Sequence, residues 1–307
     1  MISKYKGCML GAAIGDALGK QNEGLERKEI LKRGYVTKYG KAYEGSPAEY
    51  LKASEYTDDT EQMLVLAKSL IKCNGFNIED FSHNIAQWGA NLPDIKKRLL
   101  GPSSSAAITR LNSGIHWKEA GSHIPSCGSA MRVAPIGLFY RSFDEIEYCA
   151  SLSSIPTHNN QGSIAGAVAV AVGVGCALLG MDCSDIIKQS SIRASNYDET
   201  LGKKIELSFR KKDKAPDEVF SELGTSYVVY ETIPCAFYCF SRYFDDAEKA
   251  VIEAVNAGGD TDSIACITGA LGGALHGAEA FQPWIDGLEN RKIVELAANL
   301  IFEKRIR

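Results

Sequence analysis

The chain has 307 residues, of which 45% are hydrophobic and 23% are charged. That length suits one large globular domain or two modest ones, and the composition does not indicate disorder. The formal net charge is −4 and the longest basic cluster, residues 210–214, is short, which argues against nucleic acid as the main partner.

Cysteine usage and apolar segments together predict a reduced, cytoplasmic protein. The nine cysteines lack the paired short spacings of a disulfide framework. Cys235 and Cys239 would share one face of an apolar helix, where core packing is expected rather than zinc binding. Residues 1–20 are rich in Gly and Ala and contain Asp16, so no signal peptide is predicted. The apolar run 165–180 is short of the ~20 residues that a membrane span needs.

Helical periodicity recurs along the whole chain, whereas few segments alternate with a period of two and no β-α repeat is visible. Residues 126–140 begin with small residues and end apolar, and residues 226–243 mix strand-favouring residues with a Pro-led helical run. We therefore predict an all-α fold in a single domain, residues 1–307. The predicted helices cover residues 4–18, 26–33, 57–73, 78–89, 103–112 (with a serine as N-cap), 144–152, 163–179, 182–194, 198–209, 217–224, 245–256, 262–276 and 288–305.

Two stripes of small residues predict that the beginning and the end of the chain meet. An interior glycine costs a helix roughly 0.5–1 kcal/mol relative to alanine, so a repeated glycine indicates that another backbone approaches closely. The first stripe consists of Gly7, Gly11, Gly15 and Gly19. The second consists of Ala265, Gly269, Gly273 and Gly277, and the two stripes would let their helices pack backbone to backbone.

Acidic residues and hydroxyls are concentrated at two predicted helix starts. One start carries Thr57, Asp58 and Asp59, and the other carries Asp260, Asp262 and Ser263. Each motif alone could be a helix cap, because Asp, Ser and Thr satisfy free N–H groups there. A cap uses one such residue, however, and each start has two aspartates. If the glycine stripes bring both starts and Asp16 together, like charges crowd one place, so we predict a metal site rather than capping alone.

The ligand types indicate which metal this would be. Carboxylate and hydroxyl oxygens without His or Cys favour Mg²⁺, or Mn²⁺ in its place, over zinc. No Glu closes a twelve-residue loop after Asp260, so the motif is not an EF-hand. Ligands from two distant parts of the chain suggest a site with two ions, of the kind that orients a diol or a phosphate and activates water.

These motifs resemble the ADP-ribosylglycohydrolases, a family that includes the dinitrogenase-reductase-activating glycohydrolase. The resemblance spans nearly the whole chain in motif order and spacing. Its motifs are GAAIGDALG at 11–19, Glu23, TDDT at 57–60, GSAMRVAP at 128–135, TH at 157–158 and GGDTDS at 258–263. Two positions depart from the pattern of many relatives: Cys127 replaces an Asn that can bind substrate, and Ser263 replaces a commoner Thr.

The resemblance implies an enzyme that hydrolyses the bond between C1″ of ADP-ribose and a protein side chain. Two Mg²⁺ ions would be held by Thr57, Asp58, Asp59, Asp260, Asp262 and Ser263. ADP-ribose would lie against Ser126, Cys127, Gly128, Ser129 and His158. The catalytic carboxylates would be Glu23, Asp59 and Asp260, among which the base is left open. The partners are then an ADP-ribosylated protein and ADP-ribose, and the acceptor, arginine or serine among others, stays open.

Two other functions remain as alternatives. One is a non-catalytic ADP-ribose binder or a blocking partner of an ADP-ribosyltransferase, although such a protein has no need of six oxygen donors. The other is a metal-dependent phosphohydrolase, for which free phosphate would be the product. Neither a Walker lysine pattern nor a Gly-x-Ser-x-Gly elbow is present.

Overall fold

The computed structural model describes residues 1–306, and its regular structure is helical, with one 3₁₀-helix at Ala278–Phe281 besides the α-helices, which confirms the all-α prediction. Arg307, the last residue of the predicted domain, lies outside the described residues. Two isolated β-bridges, Ser122 with His158 and Ser126 with Val228, are the only strand-like pairings in residues 1–306. The helices are α1 (Ile2–Gly19), α2 (Arg27–Arg33), α3 (Asp58–Cys73), α4 (Ile78–Ala90), α5 (Asp94–Lys97), α6 (Pro102–Asn112), α7 (Trp117–Ala120), α8 (Ala134–Phe139), α9 (Phe143–Ser154), α10 (Gln161–Leu178), α11 (Cys183–Ser195), α12 (Glu199–Arg210), α13 (Pro216–Leu223), α14 (Val229–Arg242), α15 (Ala247–Val255), α16 (Thr261–His276), α17 (Gln282–Ile285) and α18 (Arg291–Ile306).

All of the longer predicted helices are present, and the ambiguous segments are now defined. Residues 226–243 form α14, with Pro234 inside it, while Val228 just before the helix makes one of the isolated bridges. Within residues 126–140 only α8 is helical. The short helices α5, α7 and α17 were not predicted, because four residues are too few to show a period.

The predicted meeting of the two small-residue stripes is confirmed in the packing of α1 against α16. A Cβ added to Gly15 would lie 2.1 Å from the carbonyl oxygen of Ala265, and one added to Gly269 would lie 2.0 Å from the carbonyl oxygen of Gly11. No side chain fits in either place. At the end of this contact the Thr261 hydroxyl donates a hydrogen bond of 2.8 Å to the Gly19 carbonyl. The last turn of α1 therefore lies beside the first turn of α16.

A single large core joins most of the helices, and α10 lies inside it. Among the described helices, α10 is the one that is long and apolar enough to cross a membrane, but its residues are almost all buried within the protein. It packs against α8, α9, α11 and α16, so its apolar surface is explained by the core. Cys235 and Cys239, on α14, are also buried there, and all nine cysteines are free thiols.

Candidate active site

The start of α3 is held in place by a carboxylate from α1. Asp16 is fully buried and accepts hydrogen bonds from the backbone N–H and the hydroxyl of Thr57 and from the same two groups of Thr60, at 2.6–3.1 Å. These bonds satisfy donors at the helix start and place a negative charge near its positive end. With Asp16 in this role, Asp58 and Asp59 are free to face a neighbouring cavity.

The start of α16 is set by a turn that only glycine adopts easily. Gly258 and Gly259 have φ angles of +93° and +66°, and the backbone N–H of Asp260 then donates to the Thr225 carbonyl at 2.7 Å. The Asp260 carboxylate accepts from the Cys127 thiol at 3.1 Å and from the Thr232 hydroxyl at 2.9 Å. The turn therefore delivers Asp260 and Asp262 to the same cavity as Asp58 and Asp59.

One hydrogen bond joins the two acidic motifs directly. The Ser263 hydroxyl donates to an oxygen of Asp59 at 3.0 Å, although the two residues are 204 positions apart. The cavity that they share has a volume of about 190 Å³. Its lining residues are Glu23, Asp58, Asp59, Leu99, Gly101, Pro102, Ser103, Ser104, Ile124, Ser126, Cys127, Gly128, Met131, His158, Tyr227, Asp260, Asp262 and Ser263.

Two of the residues proposed from the sequence do not line this cavity. Thr57 directs its hydroxyl to Asp16, as described above. Ser129 is fully buried, and its hydroxyl donates to the Ser163 carbonyl at 3.1 Å and accepts from Ser154 at 2.8 Å. Both hydroxyls are therefore engaged in hydrogen bonds within the protein.

The environment of the carboxylates in the cavity disfavours their ionised form. Burial, followed by the charges of neighbouring carboxylates, raises the pKa of Asp58, Asp59 and Asp262 well above the ordinary value. Burial also raises the pKa of Asp260, although Cys127 and other donors oppose it. For Glu23, burial together with the charges of Asp260 and Asp16 raises the pKa to about 7.

No Lys or Arg is among the residues that line the cavity in the described part of the chain. Lys20 is a buried cation nearby, but its amino group donates to the carbonyls of Ala17 and Ala53 at 3.1 and 2.9 Å. Burial lowers the pKa of Lys20 to about 8, against the charges of Asp16 and other carboxylates. One such cation cannot balance the five carboxylates that line the cavity, so the cluster favours either bound protons or a bound cation.

The donor set fits a hard divalent cation in kind. It consists of carboxylate and hydroxyl oxygens, which Mg²⁺ prefers. Within residues 1–306, however, no three His, Cys, Asp or Glu side chains stand close enough together to hold one ion. The carboxylates thus share a cavity without converging on a single point.

Part of the cavity wall is formed by residues that the sequence interpretation largely missed. The start of α6 lines it with Gly101, Pro102, Ser103 and Ser104. The N-cap is Gly101 and not the predicted serine, because Pro102 takes the first helical position and moves Ser103 inside the first turn. The Gly-Pro-Ser run signalled a helix start, but nothing in the sequence showed that this start faces the acidic motifs.

His158 lies against the small-residue loop that was predicted to contact ADP-ribose. A Cβ added to Gly128 would come within 2.7 Å of the His158 Nε2 atom, so a side chain here would have to displace the His158 ring. The His158 Nδ1 atom is 2.8 Å from the Thr157 hydroxyl. Burial and the charge of Arg132 lower the pKa of His158 to about 3, which keeps the imidazole neutral.

Comparison with known proteins identifies the family of this chain. The profile of the ADP-ribosylglycohydrolase family matches residues 1–306. An uncharacterized protein of Archaeoglobus fulgidus is 39% identical over 100% of this chain and 98% of its own length. The ADP-ribosylhydrolase ARH3 of Homo sapiens is 28% identical over 99% of this chain and 94% of its own.

Among solved structures, an ADP-ribosylglycohydrolase-related protein complex is similar with a TM-score of 0.83 and 25% identity, covering 99% of this chain and 98% of that one. The family profile and the structural likeness extend over essentially the whole described chain. The fold around the cavity is therefore the one shared by these relatives. The chain belongs to the ADP-ribosylglycohydrolase family of enzymes.

Proposed function

We propose that this ADP-ribosylhydrolase depends on Mg²⁺ and removes ADP-ribose from modified protein side chains by hydrolysing the glycosidic bond at C1″. The observation that carries the proposal is the hydrogen bond from Ser263 to Asp59, which brings both acidic motifs to one cavity without a lining Lys or Arg. Structural capping alone does not require the two motifs to meet.

The cavity residues that would hold Mg²⁺, or Mn²⁺ in its place, are Asp58, Asp59, Asp260, Asp262 and Ser263, whereas the Thr57 hydroxyl is bound to Asp16. Bound there, two such ions would supply charge that fixes the distal ribose hydroxyls and lowers the pKa of a bound water. Because no three acidic side chains converge on one point, hydroxyls, water and substrate oxygens would complete the ligands.

Glu23 is the first candidate for the general base. In the cation-free protein, burial and the charges of Asp260 and Asp16 raise its pKa to about 7, and a general base is most effective when its pKa lies near the operating pH. In this scheme the Glu23 carboxylate takes the proton from the water that attacks C1″. Asp59 and Asp260 remain the alternatives for that role. Carboxylates near the sugar would also stabilise the oxocarbenium character of the transition state.

The diphosphate must be bound without an arginine or lysine from the cavity wall. Within residues 1–306, the backbone N–H groups of Gly128 and Ser129 have no hydrogen-bond acceptor, and the Ser104 hydroxyl lies 3.5 Å from the place of a Cβ added to Gly128. Free N–H groups and hydroxyls of this kind form anion-binding concavities. We place the diphosphate here, with Cys127 between it and Asp260.

The test is release of ADP-ribose from arginine-linked and serine-linked ADP-ribosyl peptides, each with Mg²⁺ and with EDTA. We expect release with Mg²⁺ only, and loss of release in the double variant Asp260→Ala with Asp262→Ala. The control is Asp94→Ala, because the side chain of Asp94 is almost fully exposed. Equal release with EDTA, or in the double variant, would disprove the mechanism.

The alternatives predict other outcomes of the same experiment. Tight ADP-ribose binding in calorimetry without turnover on any modified peptide would favour the non-catalytic binder, and free phosphate as product would favour the phosphohydrolase. We further propose a cytoplasmic location, for which the nine free thiols are the support.

A further inference from the structure

Arg132 is a buried cation that has no role in the proposed reaction. Within the described residues, no carboxylate lies at salt-bridge distance from it. Its side chain is fully buried and lies over the ring of Phe81, with the guanidinium carbon 5.2 Å from the ring centroid. Taking a guanidinium out of water is costly unless its hydrogen bonds are made. The acceptors of these hydrogen bonds therefore indicate the role of Arg132.

The guanidinium donates to three neutral acceptors. One terminal nitrogen donates to the Gln62 side-chain oxygen at 2.6 Å. The other donates to the Ser153 carbonyl at 3.0 Å and to the Thr157 hydroxyl at 2.6 Å. Arg132 thereby ties the N-terminal part of α3 to the end of α9 and to the loop after it.

Each contact fixes the hydrogen-bonding role of the next group, because arginine can only donate. The Gln62 atom that faces Arg132 must be the amide oxygen, so the Gln62 NH₂ group donates to Asp58, at 2.7 Å. The Thr157 oxygen accepts from Arg132, so its own proton is available to a further acceptor. The nearer acceptor is the His158 Nδ1 atom at 2.8 Å, whereas the Ser154 carbonyl is 3.5 Å away.

An Nδ1 atom that accepts a hydrogen bond leaves the imidazole proton on Nε2. His158 is neutral, as its lowered pKa indicates, and its ring lines the cavity beside Gly128. The Nε2 atom has no hydrogen-bond partner within residues 1–306, in contrast to Nδ1. A neutral histidine in this state presents one N–H donor to a ligand. Apart from it, the cavity lining in the described residues has carboxylates but no Lys or Arg.

We propose that Arg132 is a positioning residue: through Thr157 it fixes His158 with its proton on Nε2, as a hydrogen-bond donor to an oxygen of ADP-ribose. The identity of the ligand rests on the proposed function, but the protonation of His158 in the free protein does not. Arg132 itself is not among the residues that line the cavity.

The experiment is ¹⁵N NMR of the imidazole nitrogens in the full-length, ligand-free protein, with His158 identified by comparison with His158→Asn. We expect a pyrrole-like Nε2 and a pyridine-like Nδ1. Thr157→Ser retains the hydroxyl and should give the same spectrum. Thr157→Val is nearly isosteric but has no hydroxyl, and Arg132→Lys retains the charge without the fork, so both should lose the single Nε2–H state.

Calorimetry with ADP-ribose supplies the second readout. Loss of one well-placed hydrogen bond should weaken binding by about five- to tenfold in Thr157→Val, and Thr157→Ser should stay within about twofold of the wild type. A wild-type His158 protonated on Nδ1, or on both nitrogens, would overturn the inference even if a variant fails to fold. So would a Thr157→Val protein with the wild-type spectrum and affinity. Absence of ADP-ribose binding by a wild type with the expected spectrum would instead count against the proposed function.

Discussion

Asp16 accepts two hydrogen bonds from Thr57, one from its backbone N–H at 2.9 Å and one from its hydroxyl at 2.8 Å. The same carboxylate makes the equivalent pair with Thr60, at 3.0 and 2.6 Å. A residue on α1 thus caps α3 together with Thr57, the N-cap residue, whose hydroxyl accepts from the Asp59 N–H at 3.5 Å. This arrangement fixes the direction in which Asp58 and Asp59 leave the helix start.

The first prediction concerns this capping carboxylate. Asp16→Asn replaces one acceptor oxygen by an NH₂ group that faces the donors of Thr57 or Thr60. Buried donors left without an acceptor cost about 1–3 kcal/mol each, so we expect a loss of about 2–4 kcal/mol in the free energy of unfolding. Urea denaturation in EDTA measures it.

Asp198→Asn is the matched control. One oxygen of Asp198 caps α12 by accepting from the Leu201 N–H at 2.9 Å, and the other accepts from the Tyr230 hydroxyl at 2.6 Å. Asn is as good a cap as Asp, so this change should cost less than about 1 kcal/mol. Equal losses in the two variants would show that Asp16 is an ordinary cap.

The second prediction concerns the close contact of α1 with α16. A Cβ at Gly15 would meet the Ala265 backbone at 2.1 Å, and backbone cannot move aside as a side chain can. Gly15→Ala should therefore destabilise the protein by about 2–3 kcal/mol despite the better helix propensity of alanine. In Gly175→Ala the nearest atom, at 2.8 Å, is the end of the Ile146 side chain, so a change within about 1 kcal/mol is expected. Thermal unfolding of both variants compares them, and equal stabilities would contradict this account.

The sequence indicated the helices and the α1 to α16 contact because both depend on periodicity. The period of 3.6 residues is visible in any helix of several turns, and four glycines at a constant interval along a helix indicate a close backbone contact on that face. The short helices α5 and α7 and the irregular residues 126–133 were not defined, because turns and loops are set by contacts from distant parts of the chain.

The site was predictable only as far as its residues had a distinctive chemistry. Acidic motifs such as Asp260 and Asp262 stand out, and the predicted pocket residues Cys127 and His158 do line the cavity. Ser104 and Tyr227 also line it, but a serine in a helix or a tyrosine in a loop carries no signal by itself. Their place depends on how α6 and α14 pack, which the sequence does not reveal.

The third prediction is a pH dependence of stability without divalent cations. Folding raises the pKa of Glu23 to about 7, so the folded state binds a proton that the unfolded state releases at a lower pH. The stability that this proton contributes is full below the ordinary glutamate pKa of about 4.3 and is lost as the pH rises through about 7. The free energy of unfolding in EDTA should therefore fall between about pH 5 and about pH 8.

Glu23→Gln tests the origin of that slope. The variant cannot titrate at this position, so the slope should become smaller, and the remaining slope would come from the cavity aspartates, whose pKa values are raised as well. An unchanged slope in Glu23→Gln would show that Glu23 does not carry the proton.

The fourth prediction concerns the thiol in the cavity. Burial and the charges of Asp260 and Asp59 raise the pKa of Cys127 well above its usual range, and the thiolate is the reactive form. Cys73, by contrast, is exposed. Iodoacetamide followed by mass spectrometry should label Cys73 first and leave Cys127 unlabelled until the protein unfolds. Labelling of Cys127 as fast as Cys73 in the folded protein would mean that its thiol is ionised.

The fifth prediction separates a metal site from a crowded helix cap. In the wild type the Ser263 N–H donates to Asp262 at 3.0 Å, and Asp262→Asn keeps an oxygen for this bond. The variant removes a negative charge that is repelled by the charges of Glu23, Asp59 and Asp260. Without divalent cations the variant should therefore be more stable than the wild type, by about 1–2 kcal/mol. Thermal unfolding in EDTA measures the difference.

Titration with Mg²⁺ gives the second half of that test. A cation that binds only the folded protein stabilises it by mass action, so the unfolding temperature of the wild type should rise with Mg²⁺ concentration. In Asp262→Asn the rise should be much smaller, whereas Asp94→Asn, at an exposed position, should behave as the wild type does. An Asp262→Asn protein that Mg²⁺ stabilises as strongly as the wild type would exclude Asp262 as a ligand. Greater stability in EDTA together with a lost response to Mg²⁺ is expected only if the carboxylate is kept for the cation, because in a simple cap Asn would serve as well as Asp and the response to Mg²⁺ would not change.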